Sequence, residues 1–587
     1  MITSRSYQPH NYARAGPRHI DARGAAPAMF ASSPDRVARS PRPFSLARRH
    51  CHVPSPQRAV FRSALLALLT LLTLASVARA QDAREAAVAP PAAFADPTRD
   101  AKLRSAFPAI DQLVRNFAER SNVPGVAYGL VIDGTLAHVF VSGLRDVGQK
   151  APVDTATVFR IASMSKSFTA VAVLQLRDAG RLSLDDPVAR YVPELASLRY
   201  PTTDSPVLTI RHLLSHSEGF PEDNPWGDQQ LAATDDEMAQ MMRAGIPFST
   251  APGTSYEYSN FGFAILGRIV ANVSGVPYAR YVRERVLVPL GMTVTTLEAS
   301  TVPPQRLAHG YRRQDGRWLE EAQLPDGAFG AMGGMLTSAA DLGRWVAFML
   351  DAWPPRDRHE GTVLSRASRR EMQQVWRVNA ATSVRDESGS TSLSAGGYGY
   401  GLGVRQTCRF RITVAHTGGL PGFGSLMRWL PEYGVGIVAM GNLTYTGWNG
   451  VAEQALELLA GSGALEPRQP QPAPVLTTMR EQVTRLVTRW NDALADSVAA
   501  MNLFLDESKV RRKAQIERVS LEAGNRCASE GTFAVENGLR GRWRLRCASG
   551  DLRVSITLAP TTPARVQFLD VSPIARDESL SPPPSCR

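Results

Sequence analysis

Lysine is scarce in this chain, although basic residues are not. Of the 66 Lys and Arg residues, only five are lysine: Lys102, Lys150, Lys166, Lys509 and Lys513. A guanidinium group cannot be deprotonated in a protein, whereas a buried ammonium can lose its proton and then act as a base. Lys166 is the one lysine between Lys150 and Lys509, and none of the other four has a serine three residues before it, so Lys166 is the informative candidate.

The apolar run ALLALLTLLTLA at residues 64–75 is too short for a membrane span, which needs roughly 20 residues. Arg62 precedes it and a small-x-small sequence at residues 78–80 follows it. This pattern predicts a signal peptide over residues 59–80, cleaved before Gln81. We therefore expect a periplasmic or secreted protein with no stable membrane span after cleavage.

Residues 1–58 are rich in Arg, Pro, Ser and Ala and show no apolar periodicity, so we expect a disordered basic extension. Signal peptides begin close to their basic region, so our hypothesis is that translation starts further along the chain, near Val60. Residues 1–80 carry +10 of the net charge of +12. The remainder is close to neutral, which argues against nucleic acid as a partner.

Cysteine is also rare, with five in 587 residues. Cys51 falls in the leader, whereas Cys527 and Cys547 flank a strand–turn–strand pattern. Because export implies an oxidising compartment, we predict that this pair forms a disulfide. For Cys408 and Cys586 the sequence leaves both free thiols and a second bridge open.

Several familiar motifs are absent. There is no Gly-x-Ser-x-Gly nucleophile elbow and no Gly-rich phosphate loop, so no cofactor is implied. His212 and His216 are four residues apart, as zinc ligands on a helix can be, but they lack the glutamate of the zincin motif and an obvious third ligand. We assign them core or capping roles and predict no metal site.

The pattern of apolar residues predicts an α+β fold. A helix over Leu103–Arg120 precedes a hairpin closed by Asp133-Gly134, and strands return late in the chain. This order suggests one antiparallel sheet, flanked by helices, with both ends of the domain in the sheet and a mainly helical insertion between them. The predicted strands are Val126–Ile132, Leu136–Ser142, Arg409–Ala415, Ser425–Leu430 and Val435–Met440.

Less regular segments divide the chain. Residues 352–397 contain few apolar residues, so we expect a mobile surface loop, and a helix is predicted over Leu336–Leu350. The Pro-rich sequence Pro467–Pro474 predicts a linker. We assign a main domain to residues 100–462, a linker to 463–475, a small α+β domain to 476–575 and a disordered tail to 576–587. Within the small domain, residues 479–519 read as helical.

The most informative stretch is residues 159–179, FRIASMSKSFTAVAVLQLRDA. Ser163 and Lys166 are three residues apart, so they share one face of the predicted buried helix. A serine hydroxyl becomes a strong nucleophile when a neighbouring base takes its proton, and a desolvated lysine can be that base. A surface lysine beside a capping serine is the simpler alternative for this motif alone.

Two further motifs carry polar groups suited to the same chemistry. Tyr258 could shuttle a proton, and Asn260 could hold both the lysine amine and a substrate carbonyl. His416, Thr417, Gly418 and Gly419 follow an alternating run; an edge strand there could bind an acyl group and aim the Gly419 amide at an oxyanion. For the first motif, a core tyrosine before a helix N-cap remains an alternative. For the second motif, the alternative is a turn after a strand.

Together and in this order, the motifs resemble the serine β-lactamase and penicillin-binding protein superfamily. The likeness is greatest to class C β-lactamases and their D-alanyl-D-alanine carboxypeptidase, D-aminopeptidase and esterase relatives. It covers roughly residues 100–460 and includes NVPGVAYGLVIDG, LLSHSEGF, PGTSYEYSN and GAMGGMLTSAADLGRW. His416 stands where dedicated β-lactamases usually carry lysine, and LLSHSEGF departs from the Thr-Ser-Gly ending of many relatives.

The resemblance implies a β-lactamase/transpeptidase-like fold and a serine hydrolase acting through an acyl-enzyme. Ser163 would be the nucleophile, Lys166 its proton acceptor and Tyr258 the base that also activates the deacylating water. Asn260 would orient these groups, and the Ser163 and Gly419 amides would form the oxyanion hole. The expected substrate is a small molecule or a peptide, such as a cell-wall D-amino-acid peptide, an ester or a β-lactam. A penicillin-binding receptor acylated without turnover remains the alternative, and the C-terminal domain could cap the site or act as a spacer.

Overall fold

The computed structural model describes residues 85–357, 360–379, 381–385 and 391–580. The predicted basic extension and signal peptide lie outside the described residues, as do Cys51, Cys586 and residues 581–587 of the predicted tail. The strands, in chain order, are β1 (Gly125–Ile132), β2 (Thr135–Asp146), β3 (Ala151–Pro152), β4 (Phe159–Arg160), β5 (Tyr311–Gln314), β6 (Arg317–Glu320), β7 (Leu336–Thr337), β8 (Arg377–Val378), β9 (Thr382–Arg385), β10 (Thr391–Tyr398), β11 (Gly403–Thr407), β12 (Thr413–Leu420), β13 (Phe423–Leu430), β14 (Val435–Gly441), β15 (Ala528–Asn537), β16 (Arg540–Arg546), β17 (Asp551–Leu558) and β18 (Val566–Ile574).

The α-helices are numbered in the same way. They are α1 (Arg99–Arg104), α2 (Phe107–Arg120), α3 (Ser165–Asp178), α4 (Ile210–Leu214), α5 (Asn224–Gly227), α6 (Asp235–Ala244), α7 (Asn260–Ser274), α8 (Tyr278–Val282), α9 (Gly330–Gly333), α10 (Ala339–Leu350), α11 (Arg366–Met372), α12 (Asn449–Gly461), α13 (Pro474–Thr488), α14 (Asp492–Val498), α15 (Leu503–Asp506) and α16 (Lys509–Glu522). The predicted helix over Leu103–Arg120 is thus two helices, because the helix is interrupted just before Phe107-Pro108.

The main sheet is antiparallel and has the spatial order β3-β2-β1-β14-β13-β12-β11-β10-β8, with β9 paired to β10. β1 pairs with β14 from Val126 opposite Gly441 to Ile132 opposite Val435. The first hairpin and the last strand of this part of the chain are therefore neighbours. This confirms the α+β class and the predicted closure of one sheet by both ends of the domain.

Alternation along the strands explains why this sheet is a central layer. Val438 of β14 joins an apolar cluster that includes Trp345 of α10, whereas its neighbour Ile437 joins another cluster that includes Val114 of α2 and Leu456 of α12. Successive side chains of a strand point to opposite faces. Helices consequently cover both faces, and α3, which follows the Ser163 turn, lies in the first cluster.

Short pairings position the segment that precedes Ser163. β4 pairs with β7, with Phe159 opposite Thr337 and Arg160 opposite Leu336. The helix predicted from Leu336 therefore starts later, at Ala339, because Ser338 caps it by accepting a hydrogen bond from the Asp341 amide (3.3 Å). The first two residues of that predicted helix are instead a strand that holds the approach to Ser163.

The expectation of a mobile loop over residues 352–397 is wrong in its described parts. This segment contains α11 and the strands β8, β9 and β10. The sequence of β10, TSLSAGGY, lacks apolar alternation, but its backbone pairs with β9 and with β11. Backbone hydrogen bonds within the sheet hold this strand, and such bonds leave no apolar pattern in the sequence.

The C-terminal part has its own apolar cluster, in which α13, α14 and α16 pack on the sheet β15-β16-β17-β18. The helical region predicted over residues 479–519 is four helices, and Pro474 begins α13 instead of ending the linker. The linker is held at both ends, since Gln469 N donates to Ala93 O (2.7 Å) and Ala473 N donates to Gly538 O (3.0 Å).

Across the described residues, no single helix has both the length and the apolar composition to cross a membrane; one bent pair, Asn260–Ser274 with Tyr278–Leu287, passes by length and composition only. Residues 261–267 of this pair are buried in the protein.

Candidate active site

Ser163 lies in a 3₁₀ turn, Ala162–Met164, that leads directly into α3. Ala162 has a φ of 48°, a left-handed conformation that is unusual for alanine. The Ser165 hydroxyl stabilises this turn by donating to Ala162 O (2.7 Å) and accepting from Met335 N (3.1 Å). Ser163 is thereby presented at the start of a buried helix.

Lys166 is fully buried, and its amine has three neighbours. Nζ donates to Asn260 Oδ1 (2.6 Å) and to Met332 O (2.8 Å), and it lies 3.1 Å from Ser163 Oγ. An amide oxygen and a backbone carbonyl can only accept hydrogen bonds, whereas a hydroxyl can donate. A neutral amine therefore satisfies both carbonyls with its two hydrogens and directs its lone pair at the Ser163 hydroxyl.

Electrostatics favour the same protonation state. Burial lowers the pKa of Lys166 to about 7, although the carboxyl groups of Asp228, Asp223 and Glu218 act in the opposite direction. A substantial fraction of the amine is then neutral at physiological pH. Such a group can accept the proton of Ser163, and it can return that proton without a large energetic cost.

Asn260 is the first residue of α7 and is fully buried. Its Nδ2 donates to Asn224 Oδ1 (3.1 Å), which leaves Oδ1 facing Lys166. Asp223 holds the start of the helix, since its carboxylate accepts from Asn260 N (2.6 Å) and Phe261 N (2.9 Å). Asp223 and Asn224 are contributors that sequence reasoning missed, and their only sequence signal is the turn-forming Asp-Asn-Pro.

Tyr258 stands over the lysine, with its ring centroid 4.7 Å from Lys166 Nζ. Its phenol interacts with the Ser163 hydroxyl, and burial raises the pKa of Tyr258 well above its ordinary value, with Asp228 and Asp223 acting in the same direction. Tyr258 is thus a protonated phenol. Lys166 is the better first acceptor for the Ser163 proton, and Tyr258 is suited to relay a proton.

His416, Thr417, Gly418 and Gly419 lie within β12. β11 pairs with β12 only at Thr413–Ala415, whereas β13 pairs with β12 from Val414 to Leu420. On the β11 side, the part of β12 from His416 onward is therefore an open edge, the feature that β-augmentation by a substrate requires.

The His416 ring has a defined tautomer. Nδ1 lies 2.6 Å from Thr417 O and must donate to it, so Nε2 accepts from the Tyr398 hydroxyl (2.8 Å). Burial first, and then the Lys166 charge, lower the pKa of His416 to about 3. The imidazole is neutral at physiological pH. Tyr398 is a further residue that sequence reasoning missed, and it has no sequence signal.

Gly418 permits a close approach, but the approaching atoms are the protein's own. The Ser425 hydroxyl donates to Ile161 O (2.9 Å), and a Cβ on Gly418 would overlap both groups. Only glycine lets β12 pass this close to the segment that leads into Ser163.

These groups border a cavity of about 770 Å³. Its walls include Ser163, Tyr258 and residues 416–419, and Lys166 and Asn260 are buried beside it. Both residues of the implied oxyanion hole, Ser163 and Gly419, border the same space. The structure thus brings all of the predicted catalytic and substrate-binding residues to one place.

None of the remaining predicted residues borders this cavity, although His216 packs against Tyr258 with ring centroids 4.3 Å apart. Cys527 and Cys547 are joined by a disulfide in the C-terminal sheet, and Cys408 is also disulfide-bonded. His212 takes part in the capping box of α4, while His216 is fully buried and accepts from Ser259 N (3.1 Å). Nowhere in the described ranges do three or more His, Cys, Asp or Glu residues form a group that could hold a metal ion.

Comparison with known proteins assigns the chain to a family. The Beta-lactamase family matches residues 110–462, which is more than half of the chain and contains every residue of the cavity named above. The chain belongs to the Beta-lactamase family. Membership supports, in general, a serine hydrolase of the β-lactamase and penicillin-binding type.

The chain is similar to curated proteins from two bacterial species. Protein flp of Staphylococcus aureus (strain COL) is 27% identical over 339 residues, covering 57% of this chain and 62% of that protein. Penicillin-binding protein 4* of Bacillus subtilis (strain 168) is 26% identical over 311 residues, covering 50% and 62%. The chain therefore spans 62% of the length of these curated relatives.

A solved structure supports the fold alone. The octameric penicillin-binding protein homologue from Pyrococcus abyssi matches with a TM-score of 0.51 and 21% identity, covering 80% of this chain and 94% of that chain.

Proposed function

We propose that the chain is an exported serine hydrolase that cleaves amide or ester substrates through a covalent acyl-enzyme on Ser163. The observation that carries this proposal is the set of neighbours of Lys166. Two obligate acceptors take the hydrogens of a neutral amine, and its lone pair then faces Ser163 Oγ at 3.1 Å. That arrangement is the one a general base for the serine needs.

The reaction follows from this arrangement. Lys166 takes the hydroxyl proton while Ser163 Oγ attacks the carbonyl carbon, and the resulting oxyanion is stabilised by the Ser163 and Gly419 amides, each contributing roughly 10²–10³ in rate. The proton passes from Lys166, through Tyr258, to the leaving amine or alcohol as the bond to it breaks. Water then attacks the acyl group, gives up its proton to the same pair, and releases the acid and the free serine.

Burst kinetics test the proposal, with one chromogenic para-nitrophenyl ester and one chromogenic cephalosporin as substrates. Steady turnover that is lost in Ser163→Ala supports the enzyme, and the faster substrate ranks esterase against β-lactamase. Ser497→Ala is the control, because its hydroxyl is bonded to Leu494 O in the C-terminal part. One stoichiometric burst without turnover identifies an acylated receptor instead, and turnover that persists in Ser163→Ala contradicts the mechanism.

We also propose that the protein works in the periplasm or outside the cell. The Cys527–Cys547 disulfide supports this location, because structural disulfides persist in oxidising compartments. N-terminal sequencing of protein recovered from the periplasm and the medium is the test. A mature terminus at Gln81 is expected, and recovery of peptides from residues 1–50 would contradict it.

A further inference from the structure

The charged side chains that border the catalytic cavity are both acidic. Glu222 and Asp228 line it together with Ser163, and within the described part of the chain no lysine or arginine does so. Lys166 itself is fully buried and already donates to two carbonyl groups. A substrate in this cavity therefore meets fixed negative charge and no free cation.

Asp228 is held at a defined place in the wall. Its Oδ2 accepts a hydrogen bond from the Tyr445 hydroxyl (2.9 Å), and the Tyr445 ring covers Gly419, where a Cβ would lie 2.5 Å from Cδ1. Burial raises the pKa of Asp228 to about 6, so the carboxylate is still mostly ionised at neutral pH. The negative charge consequently lies beside the residue that would bind the oxyanion.

Glu222 adds a second carboxylate at the rim of the cavity. It is exposed, and its Oε1 accepts from Asn224 N (3.0 Å), while its own amide donates to Glu257 Oε1 (3.0 Å). These bonds hold the acidic side chain beside the entrance. His416, which also lines the cavity, is neutral and does not offset this charge.

Resting on the hydrolase function proposed above, we infer that the substrate is an amide or ester that carries an ammonium group, held by Asp228 and Glu222. A substrate carrying a free carboxylate would face two like charges and would lose its hydration without gaining a cation. An ammonium group gains two partners in a partly desolvated site, where charge–charge attraction exceeds its value in water. The site thus selects amine-bearing substrates over carboxylate-bearing ones.

Three matched para-nitrophenyl esters test this inference without the complication of substrate titration. They share one acyl chain, which ends in trimethylammonium, in its uncharged tert-butyl isostere, or in carboxylate. At neutral pH we expect kcat/KM for the cationic ester to exceed that of the neutral ester by about tenfold. The carboxylate ester should be the poorest of the three.

Variants then assign the preference to the two acids. Asp228→Asn keeps an acceptor for Tyr445 but removes the charge, so the ratio of cationic to neutral kcat/KM should fall to near one third or less of its wild-type value, and Glu222→Gln should lower it further. The ratio cancels any change in Lys166 reactivity. Glu481→Gln, an exposed residue of α13, removes one charge from the C-terminal part and should leave the ratio unchanged.

Each other outcome overturns the inference. Equal rates for the cationic and neutral esters, a preference for the carboxylate, or a cation preference that survives in the doubly substituted protein would each contradict it while leaving the hydrolase intact. Failure to turn over all three esters would contradict the proposed function itself, and the inference would fall with it.

Discussion

Asn260 Oδ1 accepts a hydrogen bond from Lys166 Nζ at 2.6 Å, and the Asn260 amide is held in that orientation by its bond to Asn224. This contact occupies one of the amine hydrogens, as Met332 O occupies another. The protonation state of Lys166 is therefore sensitive to whether residue 260 is an amide or a carboxylate.

Asn260→Asp should shift the pH profile of acylation. The pKa of Lys166 is about 7, so kcat/KM should fall as the pH drops below 7 and the amine becomes protonated. A carboxylate at position 260 stabilises the ammonium form and should move this limb upward by about one to three pH units. The control is Asn272→Asp, at the other end of α7, where the amide donates to Tyr191 O. Superimposable profiles for Asn260→Asp and wild type would contradict the role of the amine as a base.

Lys166→Arg should lower the acylation rate by about 10³-fold, because arginine keeps the charge but cannot accept a proton. Stopped-flow release of para-nitrophenol measures this rate. Lys166→Met provides a second test if the larger guanidinium perturbs folding, and thermal unfolding checks that both variants are folded. Lys102→Arg, at an exposed ion pair with Asp96, is the control. Near wild-type acylation by the arginine variant would show that charge alone matters.

Gly418→Ala should both destabilise the protein and impair turnover. The added methyl group overlaps Ile161 O and the Ser425 hydroxyl, and separating β12 from the Ser163 segment should cost about 1–3 kcal/mol. Gly447 borders the same cavity but has no atom within 4 Å of a Cβ, so Gly447→Ala is a matched control. Urea unfolding and kcat/KM are the measurements. An alanine at position 418 that behaves like the one at position 447 would show that the close approach is unimportant.

Asp326→Asn should change the pH dependence of stability. Burial, with the Glu298 charge, raises the pKa of Asp326 from 3.8 to about 6, and Oδ1 is buried without a hydrogen-bond partner. A raised carboxyl pKa stabilises the folded protein below pH 3.8, and that contribution is lost as the pH rises through 6. As the pH rises from 3.8 to 6, the free energy of unfolding of the variant should therefore increase by about 3 kcal/mol relative to that of wild type.

Urea unfolding of both proteins across that pH range measures the difference. Asp204→Asn, at an exposed position, should track wild type throughout. A constant difference between Asp326→Asn and wild type at every pH would contradict the assignment of a buried, titrating carboxyl group.

Local signals made part of this account predictable. The Asp133-Gly134 turn has the positive φ values of a tight hairpin, 49° and 82°, and the spacing of Ser163 and Lys166 predicts their contact because both lie within one helical turn. These features depend on neighbours in sequence. The same is true of Asn260, which follows the helix-capping Ser259.

Features that depend on distant parts of the chain were not predictable. Met332 O, Asp223 and Tyr398 reach the site only because α9, the segment before α7 and β10 are packed there, and none of the three has a distinctive motif. β10 is too polar to read as a strand, so its contribution to the wall of the site was hidden. The protonation states of Lys166 and His416 follow from burial, which a motif does not reveal.

Mass spectrometry of the protein after rapid mixing with the para-nitrophenyl ester tests the central claim most directly. We expect one acyl group per chain, located on the peptide that contains Ser163, to form at the rate of the burst and to disappear at the rate of steady turnover. Turnover without an adduct on Ser163, or with an adduct at another residue that decays at the turnover rate, would contradict the account.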